Sequence, residues 1–150
     1  MSRRQGDWVQ VMSDVDIRRA ESILTSFAGK VIASAENAEH QLRLLFGENL
    51  EFVVGSPWRI TLRGDLLCGG GDSEAHIAKA LESISGREVI SASVSSSWDA
   101  RVLLTDDYAL EVIADSAQYE TWEAHVGIGW VIFMGGQVTV FPPAPSANPA

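Results

Sequence analysis

Two stretches of this chain repeat one another, and any fold it adopts has to accommodate both copies. The first carries Ile23, Leu24, Phe27 and Gly29-Lys30-Val31-Ile32, then Leu42-Arg43-Leu44-Leu45-Phe46, then Leu50-Glu51-Phe52-Val53. The second carries Ala80, Leu81, Ile84 and Gly86-Arg87-Glu88-Val89, then Ala100-Arg101-Val102-Leu103-Leu104, then Leu110-Glu111-Val112-Ile113. The small differences in length fall where hairpin turns belong, at Gly47-Glu48-Asn49 and Thr105-Asp106-Asp107. Each unit therefore reads as a helix, a glycine stop and three strands.

Spacing identifies the helices. Ile17, Ala20, Ile23, Leu24 and Phe27 recur at helical intervals behind Ser13 or Asp14 as cap. Ile77, Ala80, Leu81 and Ile84 do the same behind Asp72 or Ser73. Helices are predicted over 15–28 and 73–85, ended by Gly29 and Gly86 in left-handed backbone. Alternation identifies the strands. Leu42, Leu44 and Phe46 share one face, as do Leu50, Phe52 and Val54, while Arg43 and Glu51 take the other, across or diagonal to one another. The second unit repeats this with Val102, Leu104, Leu110 and Val112 inside and Arg101 and Glu111 outside. A cross-strand ion pair in each copy accounts for the charges without any chemistry. Leu44, Phe46, Phe52, Val102, Leu104, Leu110 and Val112 are the predicted core.

Trp58-Arg59-Ile60-Thr61-Leu62 follows the first unit in the place that Glu120 to His125 takes after the second. Trp130 to Met134 and Val138 to Phe141 then form a hairpin about Gly135-Gly136. The expected fold class is α+β, an internally duplicated helix-plus-antiparallel-strands unit that is mainly antiparallel sheet with two helices. It forms one domain over 1–141, with repeats at about 14–62 and 72–125 and the hairpin at 129–141. The tail over 142–150 holds four of the five prolines and is expected to be flexible.

A net charge of −9 argues against general affinity for nucleic acid, which depends on neutralising phosphates with Lys and Arg. The start of the chain has no signal-peptide pattern, no stretch is apolar enough to span a bilayer, and the single cysteine suits a reducing compartment. The expected location is the cytoplasm, with no membrane contact.

Recognisable chemistry is missing from the pattern. Cys68-Gly69-Gly70-Gly71-Asp72-Ser73 lacks the ending of a P-loop and the spacing of a dinucleotide fingerprint, and it reads as a connector between the repeats. His40, His76 and His125 are far apart with no second ligand at metal spacing, and nothing in the spacing pairs Cys68 with any of them. Glu120 and Glu123 lie three apart on a strand and so face opposite ways. No catalytic, cofactor or metal residue is predicted.

The charge asymmetry is the remaining signal. No Lys or Arg follows Arg101, whereas Asp106, Asp107, Asp115, Glu120 and Glu123 do. Those five residues, with Trp122 as an aromatic anchor, are the predicted contact for a basic protein partner. The competing expectation is a solvated face that only keeps the protein soluble.

Tyr119-Glu120-Thr121-Trp122-Glu123, Gly129-Trp130-Val131-Ile132-Phe133, Gly135-Gly136 and Val138-Thr139-Val140-Phe141, with Leu110-Glu111-Val112-Ile113, resemble the C-terminal signature of a small uncharacterised bacterial domain family common in actinobacteria. That family is similar to some immunity proteins of polymorphic toxin systems, and the resemblance covers about two thirds of the chain. It implies a non-enzymatic binding protein that masks a toxin-like partner; its motifs are structural, so it carries over no functional residue. The alternatives are a structural or oligomeric accessory protein and, third, a small-ligand binder or enzyme.

Overall fold

The computed structural model describes residues 17–39, 41–47, 50–115, 120–126, 129–134 and 137–141. Helix α1 occupies 17–25 and helix α2 occupies Glu74–Ile84. The predicted stripes are the faces that bury them: Ala20 and Leu24 on α1, and Ile77, Ala80, Leu81 and Ile84 on α2. Ser73 is the cap of α2, its hydroxyl accepting from the His76 N–H at 3.3 Å. Gly29 and Gly86 both have left-handed backbone, with φ of 85° and 86°.

Among the described residues there are eleven strands, and the predicted alternation is seen in β2, β3, β7 and β8. In chain order they are β1 (Ser34–Ala38), β2 (Gln41–Gly47), β3 (Leu50–Val54), β4 (Trp58–Leu62), β5 (Asp65–Gly69), β6 (Val89–Val94), β7 (Ala100–Leu104), β8 (Tyr108–Val112), β9 (Glu120–Val126), β10 (Gly129–Met134) and β11 (Gln137–Phe141). They form two sheets, ordered β1-β2-β3-β9-β10-β11 and β5-β4-β8-β7-β6, in which every pairing is antiparallel. The fold is α+β and mainly sheet.

Five strands follow α1 and six follow α2, but each half does not keep its own strands. β4 and β5 leave the first half to join β8, and β9 to β11 return from the second half to join β3. Trp58 pairs with Val112 and Trp122 pairs with Val54, and both indoles are buried. Where the halves meet, the segments that follow the two helices bond to one another in reciprocal fashion. Gly29 N–H donates to Val89 O and Gly86 N–H to Ile32 O, at 2.8 and 2.7 Å. Ile32 N–H donates to Arg87 O and Val89 N–H to Lys30 O, at 2.9 and 2.8 Å.

One continuous core results. It includes Leu24, Phe27, Leu44, Phe52 and Trp122 together with Ile84, Val102, Leu104, Leu110 and Val112. An opening of about 10 Å³ between Leu24, Phe27, Leu44, Phe52 and Val102 is no larger than one water. Phe46, predicted as core, is only half-buried and packs at a tilt against Phe27, 4.9 Å between ring centroids.

Four expectations are corrected. The first strand of the first unit begins at Ser34, and Lys30 to Ile32 instead serve the crossing between halves. Glu36, which lies between the first unit's glycine stop and Leu42 and is expected in the turn there, is in β1 opposite Arg43. Cys68 and Gly69, expected in a connector, are the end of strand β5. The two hairpins are also displaced by two residues from their sequence match. Leu44 faces Phe52 and Val102 faces Leu110, so Phe52 corresponds to Leu110 and Glu111 has no counterpart in Glu51. The turns differ, the first carrying a register shift between Leu45 and Gly47 and the second a 3-10 turn at Thr105–Asp107. The expected caps Ser13 and Asp14, His40, the Gly135-Gly136 turn and the tail lie outside the described residues.

Candidate functional site

The β7–β8 turn puts Asp106 and Asp107 at a hairpin tip. Both have left-handed backbone, φ 62° and 66°, and both are exposed. Aspartate tolerates that conformation better than most residues because its short side chain can bond locally, but the conformation is unfavourable for any residue with a Cβ. The Arg87 guanidinium pairs with Asp106 and also stacks over the Tyr108 ring at 4.0 Å. Asp107 makes no ion pair among the described residues; its carbonyl accepts from the Arg63 N–H at 2.9 Å.

The remaining predicted contact residues do not gather around this tip. Asp115 is exposed beyond the opposite end of β8. Glu120 and Glu123 belong to β9, in the other sheet. Glu123 is half-buried and lies 3.1 Å from His125 Nε2. Trp122 has no exposed surface, packing on Phe52 at 5.5 Å between ring centroids. It is a core residue and cannot anchor a partner, which corrects the sequence reading. Proximity in sequence placed these groups together, whereas strand reversal and the transfer of β9 separate them.

On the outer face of the five-stranded sheet the predicted Arg101–Glu111 pair is present at 3.3 Å. Arg59 on β4, which the sequence reading left out, pairs with the other oxygen of the same carboxylate. One Glu111 thus holds two half-exposed guanidinium groups, beside an open groove of about 330 Å³ that Ser93, Ser95 and Ser97 also line. In the first sheet the ion pair is Arg43 with Glu51 at 3.3 Å, reached diagonally because Arg43 faces Val53.

The β5–α2 junction brings together a third set that the spacing argument dismissed. One ligand atom each from Cys68, Asp72 and His76 lies within 4.8 Å of the others, the one such group among the described residues. Three local features bring this about. Cys68 faces Ile60 and is buried, while Leu67 is the extra residue where the β4–β5 register shifts. The glycine run then turns the chain sharply, and Gly69 N–H donates to Asp72 Oδ2 at 2.9 Å. At Gly70 a Cβ would come within 2.9 Å of Trp58 Nε1, so only glycine makes the turn against that indole. Finally the first turn of α2 returns His76, whose Nε2 lies 2.9 Å from the Leu67 carbonyl and 3.9 Å from Asp72 Oδ2. A cavity of about 280 Å³ opens beside His76, between Leu67, Lys79, Ser83 and Tyr108.

Electrostatics within this group oppose one another. Burial, then the adjacent Asp72 carboxylate, push the Cys68 thiol up to about 11. The Gly69 N–H holds the Asp72 carboxyl below its usual range, assisted by Cys68 and His76, while burial acts in the opposite direction. A thiol in that state is protonated at neutral pH and is a poor nucleophile. The sequence signal that could have revealed the group is Cys-x3-Asp-x3-His across a glycine run leading into a helix.

The chain matches no family model, no curated protein and no solved structure. Among the described residues, no helix is long and apolar enough to cross a membrane.

Proposed function

We propose that this chain is a non-catalytic protein-binding domain that docks a basic surface of its partner through the Asp106–Asp107 tip. Immunity proteins that mask a toxin are the form of such binding that the sequence resemblance suggests. The observation that carries the reading is the tip itself. Two successive acidic residues in left-handed backbone are exposed where packing does not require them, and only the first has a cationic neighbour to neutralise it. Residues held in sparsely populated backbone conformations cluster at contact and switch sites. The narrowed contact leaves out Trp122, and it leaves Asp115, Glu120 and Glu123 as contributors to the general field rather than to one patch.

A different observation favours the oligomeric accessory reading. Leu66 on β5 and Ile90 on β6 are large, apolar and exposed, and those are the two edge strands of the five-stranded sheet.

The test is kinetic. A partner captured from the host's lysate and purified is mixed with the wild type, with Asp106→Asn/Asp107→Asn and with Glu82→Gln as control. Asparagine removes the charge while keeping a side chain that tolerates left-handed backbone. Association of the asparagine variant should slow by about tenfold or more at low salt, and the difference should shrink as salt rises. Rates indifferent to both salt and the two substitutions would remove the acidic tip from the reading and leave the edge strands as the better surface.

A further inference from the structure

We propose that Cys68, Asp72 and His76 form a binding site for a single divalent transition-metal ion of the zinc class. The donor set is a sulfur, a carboxylate oxygen and an imidazole nitrogen already within 4.8 Å of one another, before any ion draws them in. Tetrahedral zinc takes this combination of ligands at bond lengths of about 2.0–2.3 Å, so the atoms need to close by only about an ångström. Calcium and magnesium are poor fits, because they prefer oxygen donors and larger or more regular shells.

Each ligand is held by backbone geometry rather than by chance contact of long side chains. Cys68 is fixed in strand β5 and fully buried, so it closes the site on the core side. The Gly69 N–H orients the Asp72 carboxylate at 2.9 Å, an outer hydrogen bond of the kind that positions metal-bound carboxylates. His76 is set by the Ser73 cap and the first turn of α2. Asp72 and His76 are exposed, so an ion enters from their side and a fourth position is left for water or another ligand. A thiolate and a carboxylate balance the two positive charges of the ion, and the N-terminus of α2 favours both anions.

Binding through Nε2 of His76 requires that nitrogen to give up its contact with the Leu67 carbonyl. Binding through sulfur releases the Cys68 proton to solvent as the metal–sulfur bond forms. Nothing in this site depends on the acidic hairpin tip, and the two proposals stand or fall separately.

The experiment is titration of the reduced, full-length protein with Co²⁺, followed by displacement with Zn²⁺. The expected result is one equivalent bound, with thiolate-to-cobalt charge-transfer absorption in the near ultraviolet. His76→Gln and Asp72→Asn should each weaken binding by about tenfold or more, and His125→Gln should leave it unchanged. Cys68→Ser should abolish the absorption. Since Cys68 is buried and its variant can lose the fold, the exposed His76 and Asp72 variants carry the test, with circular dichroism verifying that they are folded. Wild-type protein that shows no charge-transfer band with excess Co²⁺, or binding that His76→Gln and Asp72→Asn leave intact, would overturn the proposal.

Discussion

Cys68 shows how one residue's surroundings alter its chemistry. Its thiol is pushed up from 9.0 to about 11, so the folded chain holds a proton that the unfolded chain releases first. A group raised in this way contributes stability that is fully present below pH 9 and is lost as pH rises towards 11. Chemical denaturation across that window should therefore show a decline in the wild type that is missing in Cys68→Ala, measured without metal. At the core, Leu44 and Leu110 are almost wholly buried, each facing its neighbour across a hairpin. Leu44→Ala or Leu110→Ala should each cost about 2–5 kcal/mol, read as a shift in the urea midpoint. A melt unchanged in either variant would mean that the side chain does not face the core.

At the scale of elements, the glycine stops do more than end helices. Gly29 and Gly86 hold φ of 85° and 86°, and a Cβ on either would meet nothing within 4 Å. The constraint is therefore backbone conformation and not space. Each N–H also donates across the junction between halves, to Val89 O and Ile32 O. Gly29→Ala and Gly86→Ala should each destabilise by about 1–2 kcal/mol through left-handed strain alone. Gly71→Ala, with open space and no left-handed backbone, should stay within about 0.5 kcal/mol of wild type. Equal effects at all three positions would show that the conformation is not what matters.

For the whole molecule, the exchange of strands decides how folding behaves. The first sheet is completed by β9 to β11 and the second by β4 and β5, so each half lacks strands until the other is present. One core runs through both. Unfolding should be a single cooperative transition in which tryptophan fluorescence and far-ultraviolet circular dichroism coincide. Fragments 1–71 and 72–150, produced separately, should each be unfolded by circular dichroism. A fragment that melts cooperatively alone would show that its half is self-sufficient.

The sequence by itself determined the helices, the glycine stops, most of the strands and the inward face of the β2–β3 and β7–β8 hairpins, Phe46 apart. Those follow from local rules: a period of 3.6 or 2, a cap, and a glycine where backbone turns left-handed. Strand β5 escaped because its five residues, Asp65–Gly69, run into the glycines without alternating cleanly. Only the tertiary structure decided which strand lies beside which. It brought Arg59 to Glu111, buried Trp122, dispersed the acidic residues, and turned Cys68, Asp72 and His76 towards one point. Each of these depends on a pairing between distant segments or on a turn whose shape the local pattern does not encode. A strand's alternation says which face is apolar, and several neighbours can satisfy that face equally. The choice among them is made by the core that strands of both sheets bury together.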